Sequence, residues 1–317
     1  MYIASDLTDL IGNTPLLELK RLFPDNKAKI LAKLECQNPM SIKDRPVLNM
    51  VRKAMKKGDI GPGIEVVEAS SGNTAIALAS LGAVMGFSVR VYMSELCSLE
   101  RQKILCAYGA KVLVTPGAEH TRGARERAMA YCQENPNSSF FLNQHGNPEN
   151  GRAHELGTGP ELWEQTTGEL DAVVIGLGTC GTFDGLSRYL KQKKPDIHIV
   201  GFEPASSPVY SGGKQGVHRI IGVGPGFVTD NFKRSNKNMD ELMAVEDQTA
   251  YHWTRQIAQK EGILVGPSSG AAAWVAGQLA QRAEFRGKTI ACFFYDTGER
   301  YLSTEGLFQA DGIQRSL

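Results

Sequence analysis

The chain has 317 residues, a formal net charge of +1 and a hydrophobic fraction of 42%. This length predicts about two domains of ordinary size, and the composition can supply a packed core. The balanced charge excludes the general basic field that holds nucleic acid, and no apolar run is long enough to span a bilayer.

The sequence also lacks export and metal-binding signals. Its first residues, Met-Tyr-Ile-Ala-Ser-Asp, contain no basic region followed by an apolar one, so we predict no signal peptide. The cysteines form no C-x-x-C pair, and the histidines do not have the spacing of metal ligands. We therefore predict that the protein has no disulfides and no metal site. A reducing cytoplasm is the expected location. The cysteines are Cys36, Cys97, Cys106, Cys132, Cys180 and Cys292.

Strand and helix patterns alternate along most of the chain. Short apolar or alternating runs predict strands at 29–35, 65–69, 88–93, 111–114, 171–175, 198–202 and 289–294. Helical periodicity predicts helices at 46–57, 74–85, 99–108, 126–132, 182–191, 249–261 and 269–282. Such alternation predicts an α/β fold in which helices cover mostly parallel sheets.

Two segments interrupt this alternation. The Asn-rich stretch 143–151 is interpreted as a connection near a domain boundary, and 204–231, rich in Gly, Pro and Ser, as a long surface loop. Two α/β units that share a cleft are the simplest architecture. Ligands bind such folds beyond the carboxyl ends of the strands, so we expect the chemistry in that cleft.

One lysine lies in a context that changes its chemistry. Asn38-Pro39 favours a turn, and the apolar spacing of 47–51 indicates a helix, so Lys43 is expected at a helix start. Burial and the positive end of the helix dipole both favour loss of its proton. A neutral amine can form a Schiff base, which makes Lys43 a candidate covalent anchor. The alternative is a surface lysine that opens an amphipathic helix.

Three polar loops lie between a predicted strand or turn and a predicted helix. Ser70-Ser71-Gly72-Asn73-Thr74 offers hydroxyls, an amide and free helix N–H groups, which suit a carboxylate or another anion. Gly176 to Thr182, with three glycines and two threonines, is interpreted as a phosphate cradle. Gly266 to Gly270 contains two serines, of which one can cap the helix and the other bind a ligand.

Each loop also has a structural interpretation. In the first and third loops the polar side chains would only cap the following helix. In the second, the glycines would only allow tight packing of a turn.

Together, these loops and Lys43 resemble the cysteine synthase (O-acetylserine sulfhydrylase) family of pyridoxal phosphate enzymes, which share the fold type of the tryptophan synthase β-subunit. The matching pieces run in family order along the chain. They are Ile11-Gly12-Asn13-Thr14-Pro15-Leu16, Ser41-Ile42-Lys43-Asp44-Arg45, Ser70 to Thr74, Gln144 with Asn147-Pro148, Gly159-Pro160-Glu161, Gly178 to Thr182, Gly222 to Phe227, Ser268-Ser269-Gly270 and Gly298-Glu299-Arg300-Tyr301-Leu302-Ser303.

The resemblance assigns a role to each candidate site residue. It implies that Lys43 carries pyridoxal 5'-phosphate and acts in catalysis. The implied cofactor contacts are Asn73 at the ring hydroxyl, Gly178, Thr179, Cys180, Gly181 and Thr182 at the phosphate, and Ser268 at the pyridine nitrogen. The implied substrate contacts are Ser70, Ser71, Gly72, Thr74 and Gln144, with Gly222 near the reacting centre.

The family also implies an architecture and partners. The fold would be two three-layer αβα domains with the cofactor in the cleft between them. Residues 41–152 would form a smaller, mobile domain, and 1–40 plus 153–317 a larger one with the phosphate loop. A homodimer and a possible association with serine acetyltransferase follow from the same resemblance, with no nucleic acid or membrane partner.

The implied reaction is β-replacement on an activated L-serine, O-acetylserine or O-phosphoserine, through an aminoacrylate, with sulfide as the nucleophile and L-cysteine as the product. Four departures from the usual family pattern concern the substrates: the single Met40 before the Ser-x-Lys motif, Ala75, Cys180, and Tyr295-Asp296-Thr297 where Pro-Ser-Ser is usual.

Other functions stay open at this point. Gly176-x-Gly178-x-x-Gly181 with Glu203 at the end of the next strand also fits a dinucleotide-dependent oxidoreductase, although that interpretation leaves Lys43 unexplained. A non-catalytic relative that binds an amino acid or a partner is a third possibility. Another β-replacement synthase, of the cystathionine or 2,3-diaminopropionate type, would use the same cofactor residues.

Overall fold

The computed structural model describes residues 3–308, with every side chain in that range except that of His120. Its strands form two separate sheets. The strands are β1 (Leu16–Glu18), β2 (Lys29–Lys33), β3 (Glu65–Ala69), β4 (Ser88–Ser94), β5 (Lys111–Thr115), β6 (Ser139–Phe141), β7 (Ala172–Gly176), β8 (His198–Pro204), β9 (Glu241–Val245) and β10 (Thr289–Phe293).

Helices follow most strands, as the alternating pattern predicts. They are α1 (Asp44–Lys57), α2 (Asn73–Met85), α3 (Leu99–Ala107), α4 (His120–Glu134), α5 (Pro148–Ala153), α6 (Gly159–Gln165), α7 (Gly181–Lys193), α8 (Asp230–Ser235), α9 (Asp247–Glu261) and α10 (Pro267–Ala280). A π-helical turn at His154–Thr158 joins α5 to α6. Within residues 3–308, no helix combines the length and the apolar character that crossing a bilayer requires.

Both sheets are dominated by parallel pairing. The smaller sheet has the strand order β5-β4-β3-β6, and all of its pairs are parallel. The larger sheet has the order β1-β2-β10-β7-β8-β9, in which only the β1–β2 pair is antiparallel. The prediction of an α/β fold with mostly parallel sheets is confirmed.

Burial explains why the central strands are nearly continuous apolar runs. β7 reads Ala-Val-Val-Ile-Gly and β10 reads Thr-Ile-Ala-Cys-Phe, and almost all of these residues are buried, as expected for strands covered on both faces. α10 is rich in alanine and is also buried nearly all round, so it can pack closely against the larger sheet. This packing holds the carboxyl ends of the strands, and the loops that follow them, in fixed positions.

The sequence prediction missed three strands. β1 and β6 have three residues each, too few to show a period. β9 reads Glu-Leu-Met-Ala-Val and is half-buried at the sheet edge; its apolar run was not assigned to a strand. The segment 143–151 was interpreted as a connection, but α5 begins inside it. α4 is longer than the predicted 126–132 because its first turns are polar and carry little periodicity.

The strands of the smaller sheet all lie between residues 65 and 141, and those of the larger sheet lie before residue 34 or after residue 171. The division into a smaller, mobile domain of 41–152 and a larger domain of 1–40 plus 153–317 stays a prediction. Residues 1–2 and 309–317 of the predicted larger domain lie outside the described residues.

Candidate active site

The three polar loops and Lys43 meet around two cavities that share several lining residues. We call Ser70–Thr74 the Ser70 loop and Gly178–Thr182 the Gly178 loop. The main cavity, of about 240 Å³, is lined by both loops together with Lys43, Gln144 and Gly222. A narrow second cavity shares Lys43 and Asn73 with the first. It is lined in addition by Cys180, Thr182, Ser268 and Tyr295.

Every predicted site residue therefore lines one or both cavities, with a single exception. Gly181 lines neither cavity. It is the first residue of α7, and a Cβ there would come closer than 3.0 Å to Oδ1 of Asn150. The glycine is thus explained by the close approach of Asn150.

Lys43 lies directly before α1, in the position that the sequence predicted. Its side chain is only partly accessible, and it lines both cavities. Burial lowers the pKa of its amine, while Cys180 and Asp296 favour the charged form more weakly. A lysine in this environment loses its proton more readily than a surface lysine, as a covalent anchor requires.

A buried ion network fixes the start of α1. Arg45, two residues after Lys43, donates from Nε to Oε2 of Glu35 over 2.7 Å and from Nη1 to Oε1 of Glu161 over 2.6 Å. Lys33 donates to the other oxygen of Glu161 over 2.8 Å. Lys33 is the last residue of β2, and Glu35 follows it by two residues. The network therefore ties the start of α1, and with it Lys43, to the larger sheet. The cost of burying these charges is offset by their mutual pairing.

The Gly178 loop is a backbone cradle at the start of α7. The first N–H groups of a helix have no partner inside the helix and attract anions such as phosphate. A Cβ at Gly178 would come closer than 3.0 Å to the carbonyl oxygen of Gly222, so only glycine fits there. Cys180 has a φ of 60°, in the left-handed region, and its thiol donates to the hydroxyl oxygen of Tyr210 over 3.1 Å. The thiol of Cys180 is thus hydrogen-bonded to Tyr210.

Two buried amides attach the Gly178 loop to Gln144. Nδ2 of Asn150 donates to the carbonyl oxygen of Gln144 over 2.7 Å and to Oγ1 of Thr179 over 3.2 Å. Nδ2 of Asn231 donates to the same carbonyl oxygen over 2.8 Å and to that of Thr179 over 2.9 Å. The sequence analysis missed both residues. The only signal for Asn150 was its place just after the Asn147-Pro148 motif.

Thr182 is held from behind by a histidine. Its hydroxyl lies 3.3 Å from Nε2 of His154, and Nδ1 of the same ring lies 2.9 Å from Oγ1 of Thr158. Burial lowers the pKa of His154 well below its ordinary value, and the positive charges of Lys43 and Arg45 lower it further. The ring is therefore neutral, and it orients the Thr182 hydroxyl without adding charge.

The polar side chains of the Ser70 loop are not helix caps. The residue at the N-cap of α2 is Gly72, which has no side chain, so the capping interpretation is wrong. Thr74 instead donates from Oγ1 to Oε1 of Gln144 over 2.5 Å, and Nε2 of Gln144 donates to the carbonyl oxygen of Ala69 over 3.2 Å. Gln144 is thereby fixed beside the loop, at the wall of the main cavity.

The third loop divides its two serines between separate tasks. The N-cap of α10 is Gly266, so the capping interpretation is wrong here too. Oγ of Ser269 accepts from the backbone N–H of Tyr295 over 3.0 Å and so holds the end of β10. Ser268 lines the narrow cavity and is buried, which leaves its hydroxyl to face a ligand.

Two ionisable groups are buried next to the Ser70 loop. Burial raises the pKa of Glu68 to about 7, although its carboxylate accepts from the backbone N–H groups of Gln144 and Ala69, each over 2.9 Å. Burial lowers the pKa of His145 to about 3, and Arg125 and Lys43 act in the same direction. At neutral pH His145 is uncharged, and Glu68 is close to its titration midpoint.

Glu203 does not act as a ribose ligand. Its side chain is fully buried and accepts from the backbone N–H of Tyr210 over 2.7 Å and from that of Ser211 over 2.9 Å. Both carboxylate oxygens are therefore used to hold the loop after β8. Glu203 therefore cannot bind a ribose, and the interpretation as a dinucleotide-dependent oxidoreductase has no acidic residue at the required position.

The donors around the cavities fit pyridoxal phosphate. The Gly178 loop offers unpaired helix N–H groups and threonine hydroxyls for a phosphate, and its glycine leaves the space that a side chain would fill. Lys43 faces the same space with an amine whose pKa is lowered, and Ser268 offers a neutral hydroxyl. A lysine anchor, a phosphate cradle and an anion-binding loop around one cavity between two parallel sheets define the class of pyridoxal phosphate enzymes.

Comparison with known proteins agrees with this class. Residues 7–296 match the model of the pyridoxal-phosphate dependent enzyme family. A cysteine synthase of Staphylococcus aureus is 42% identical over 301 residues, which cover 94% of this chain and 96% of the relative.

Two solved structures are also similar. The cysteine synthase (OASS) of Entamoeba histolytica has a TM-score of 0.92 at 40% identity and covers 98% of this chain and 93% of its own. An O-acetylserine dependent cystathionine beta-synthase of Helicobacter pylori has a TM-score of 0.91 at 35% identity, with 98% and 100% covered.

The chain therefore belongs to the pyridoxal-phosphate dependent enzyme family, and within it to the cysteine synthases. The resemblance found in the sequence is confirmed, and so is the cofactor.

Proposed function

We propose that this enzyme replaces the β-substituent of an activated L-serine with sulfide and so makes L-cysteine. With O-acetyl-L-serine, the Cβ–O bond breaks, acetate leaves, and hydrosulfide forms the new Cβ–S bond. The names of the similar cysteine synthases from S. aureus and E. histolytica support this substrate pair. The observation that carries the proposal is the position of Lys43, whose amine has a lowered pKa, in the main cavity that the Ser70 and Gly178 loops both line.

The residues divide the work between two ends of the cavity. We assign the cofactor phosphate to the Gly178 loop and the substrate carboxylate to the Ser70 loop with Gln144, because these groups offer N–H and O–H donors. When bound, pyridoxal phosphate supplies an electron sink for the negative charge that develops at the substrate Cα. Lys43 would hold the cofactor through Nζ, and its neutral amine would remove the Cα proton of the bound substrate.

Ser268 decides how strong the electron sink is. We place its hydroxyl at the ring nitrogen, where it offers a neutral partner, whereas a carboxylate would stabilise a protonated ring. With a neutral hydroxyl at this position, Ser268 would leave the ring a weaker electron sink, which would favour departure of the β-substituent over transamination.

The test is a cysteine assay on the purified holoenzyme with sulfide and either O-acetylserine or O-phosphoserine. Lys43→Ala should lower the rate by roughly 10²–10⁴-fold, the usual contribution of a positioned proton transfer. Lys57→Ala, an exposed lysine at the end of the same helix, is the matched control and should have little effect. Borohydride reduction followed by peptide mass spectrometry should place the cofactor label on Lys43.

The two esters and a second acceptor make the assay decisive. Activity with only one ester identifies the leaving group as acetate or phosphate. Homocysteine, added in place of sulfide, tests the cystathionine-forming reaction that the H. pylori relative is named for. A protein that uses neither ester, or that carries the label on another lysine, would contradict the proposal.

The proposal extends to the location, the assembly and the partners of the enzyme. We propose a cytoplasmic homodimer with a smaller, mobile domain at 41–152, which contacts serine acetyltransferase. Support comes from the family resemblance and from the cysteines, all 6 of which lie within residues 3–308 and are unpaired. Light scattering on the purified protein measures the oligomeric state directly.

A further inference from the structure

We propose that Asp296 and Arg300 are positioning residues that fix the side-chain amide of Asn73, the residue that the family resemblance assigns to the ring oxygen of the cofactor. The two residues lie just after β10 of the larger sheet, whereas Asn73 is the first residue of α2 and belongs to the Ser70 loop. The orientation of a cofactor contact on one sheet is thus set by side chains from the other.

The contacts are short and come from opposite sides of the amide. Nδ2 of Asn73 donates to Oδ2 of Asp296 over 2.6 Å. Nη1 of Arg300 donates to Oδ1 of Asn73 over 2.7 Å. Arg300 also donates through Nη2 to the carbonyl oxygen of Met40, three residues before Lys43.

These partners determine which way the amide points. An arginine can only donate, so Oδ1 of Asn73 must face Arg300, and Nδ2 on the other side of the amide must face the carboxyl group of Asp296. The orientation of most asparagine side chains is less strictly determined, because their neighbours can both donate and accept. One N–H of Nδ2 is used by Asp296 and the second is left over. Since Asn73 lines both cavities, this second N–H is the donor that we assign to the cofactor's ring oxygen.

Asp296 is an unusual residue to find in this place. It is only 1% exposed, and its Oδ1 has no hydrogen-bond partner among residues 3–308, so its burial carries a large desolvation cost. Space for Oδ1 exists only because residue 266 is glycine, where a Cβ would come closer than 3.0 Å to that oxygen. Burial of the Asp296 carboxyl group costs free energy, and the fold still leaves room for it beside Gly266. We infer that Asp296 has a function beyond packing.

Tyr301 provides the control that separates positioning from structural support. Its hydroxyl donates to Oδ2 of Asp296, the same oxygen that Asn73 contacts, and its ring packs under Arg101 at 4.9 Å. Tyr301→Phe removes one bond to the carboxylate but keeps the ring and the Asn73–Asp296 bond. A role of Asp296 limited to holding the C-terminal segment would therefore be weakened by either substitution.

The experiment measures cofactor binding without substrate, so it depends on the cofactor lying beside Asn73 but not on the proposed β-replacement. The variants are Asp296→Ala, Asn73→Ala, the double variant and Tyr301→Phe. Asp296→Ala should raise the cofactor dissociation constant about tenfold, or about 1.4 kcal/mol, and shift the absorption band of the bound cofactor. Because Asp296 acts through Asn73, the double variant should bind no worse than Asn73→Ala alone. Tyr301→Phe should leave the band in place.

Two results would overturn the proposal. One is that Asp296→Ala and Asn73→Ala have additive effects on cofactor binding, which would show independent roles. The other is that Tyr301→Phe shifts the band as much as Asp296→Ala does. Asp296→Asn serves where the alanine variant does not fold. It keeps an oxygen that accepts from Asn73, so it should keep the wild-type band, and a band shifted as in Asn73→Ala would also contradict the proposal.

Discussion

The two ends of the cavity are built on different principles. The Gly178 loop is a backbone structure: it is fixed by the start of α7, by the close approach of Gly222 and by the buried amides of Asn150 and Asn231. The Ser70 loop is fixed by its own side chains, through Thr74 to Gln144 and through Asn73 to partners on the other sheet. The first end should therefore be sensitive to added volume, and the second to the identity of its side chains.

The sharpest test of this contrast adds one methyl group to each loop. Gly178→Ala places a Cβ closer than 3.0 Å to the carbonyl oxygen of Gly222, a backbone atom that cannot move aside. Such overpacking typically costs roughly 1–3 kcal/mol, so the cofactor dissociation constant should rise roughly 5- to 150-fold. Spectroscopic titration of the apoprotein with pyridoxal phosphate measures this constant.

Gly72→Ala is the matched substitution in the Ser70 loop. Its Cβ would meet no atom within 4 Å and its φ is −137°, so neither a clash nor backbone strain is expected. Cofactor binding should stay close to wild type, while the KM for the serine ester rises because the new methyl group occupies part of the main cavity. Equal loss of cofactor in both variants would show that the two ends do not differ in this way.

The sequence predicted the parts of the site that are local in the chain. Each of the three loops follows a strand or turn and opens a helix, so its residues and its place at the strand ends could be inferred from consecutive letters. Lys43 was placed correctly for the same reason. Strands β1 and β6 were missed because three residues carry too little periodicity.

The residues that hold these loops in position could not be predicted in the same way. Asn231 and Arg300 contact Gln144 and Asn73 from more than 80 positions away in the chain. Asp296 was noticed as a departure from the family pattern, but its contact with Asn73 depends on how the two sheets pack. Without an observed tertiary contact, a polar residue in a late loop has no distinguishing signal.

The second prediction concerns Glu68, a buried acid beside the Ser70 loop. Glu68 has a folded-state pKa of about 7 against an ordinary value of 4.5, because burial favours the protonated form. Its stabilising contribution is therefore fully present below pH 4.5 and is lost as the pH rises through 7. Glu68→Gln cannot ionise. The difference between the free energies of unfolding of Glu68→Gln and wild type should therefore shift in favour of the variant by about 2–3 kcal/mol from pH 5 to pH 8.

Urea unfolding of both proteins at several pH values between 5 and 8 measures this slope. The slope is the useful quantity, since glutamine can replace only one of the two accepting oxygens and some stability is lost at every pH. Glu65→Gln on the same strand is the control. Arg90 and Lys111 overcome the effect of partial burial and lower the pKa of Glu65, so this variant should add no slope above pH 5. Parallel curves for wild type and Glu68→Gln would show that Glu68 is not the titrating group.

The smallest effect is expected for Cys180→Gly, although this residue lies in the phosphate-binding loop itself. Cys180 has a φ of 60°, and a non-glycine residue in the left-handed region costs roughly 1–2 kcal/mol, which glycine would relieve. The same substitution removes a buried side chain and the thiol hydrogen bonds to Tyr210 and the Gly178 carbonyl, which offsets a similar amount.

We therefore expect cofactor affinity to change less than about fivefold and the free energy of unfolding by less than about 1 kcal/mol. This follows if residue 180 contributes to phosphate binding through its backbone N–H group, so that its side chain matters only for the volume it fills. Burial raises the pKa of the Cys180 thiol to about 12, so it is protonated and unreactive at neutral pH. If Cys180→Gly lost most of its cofactor while Gly72→Ala kept it, the Gly178 loop would depend on a side chain after all, and the contrast between the two ends would fail.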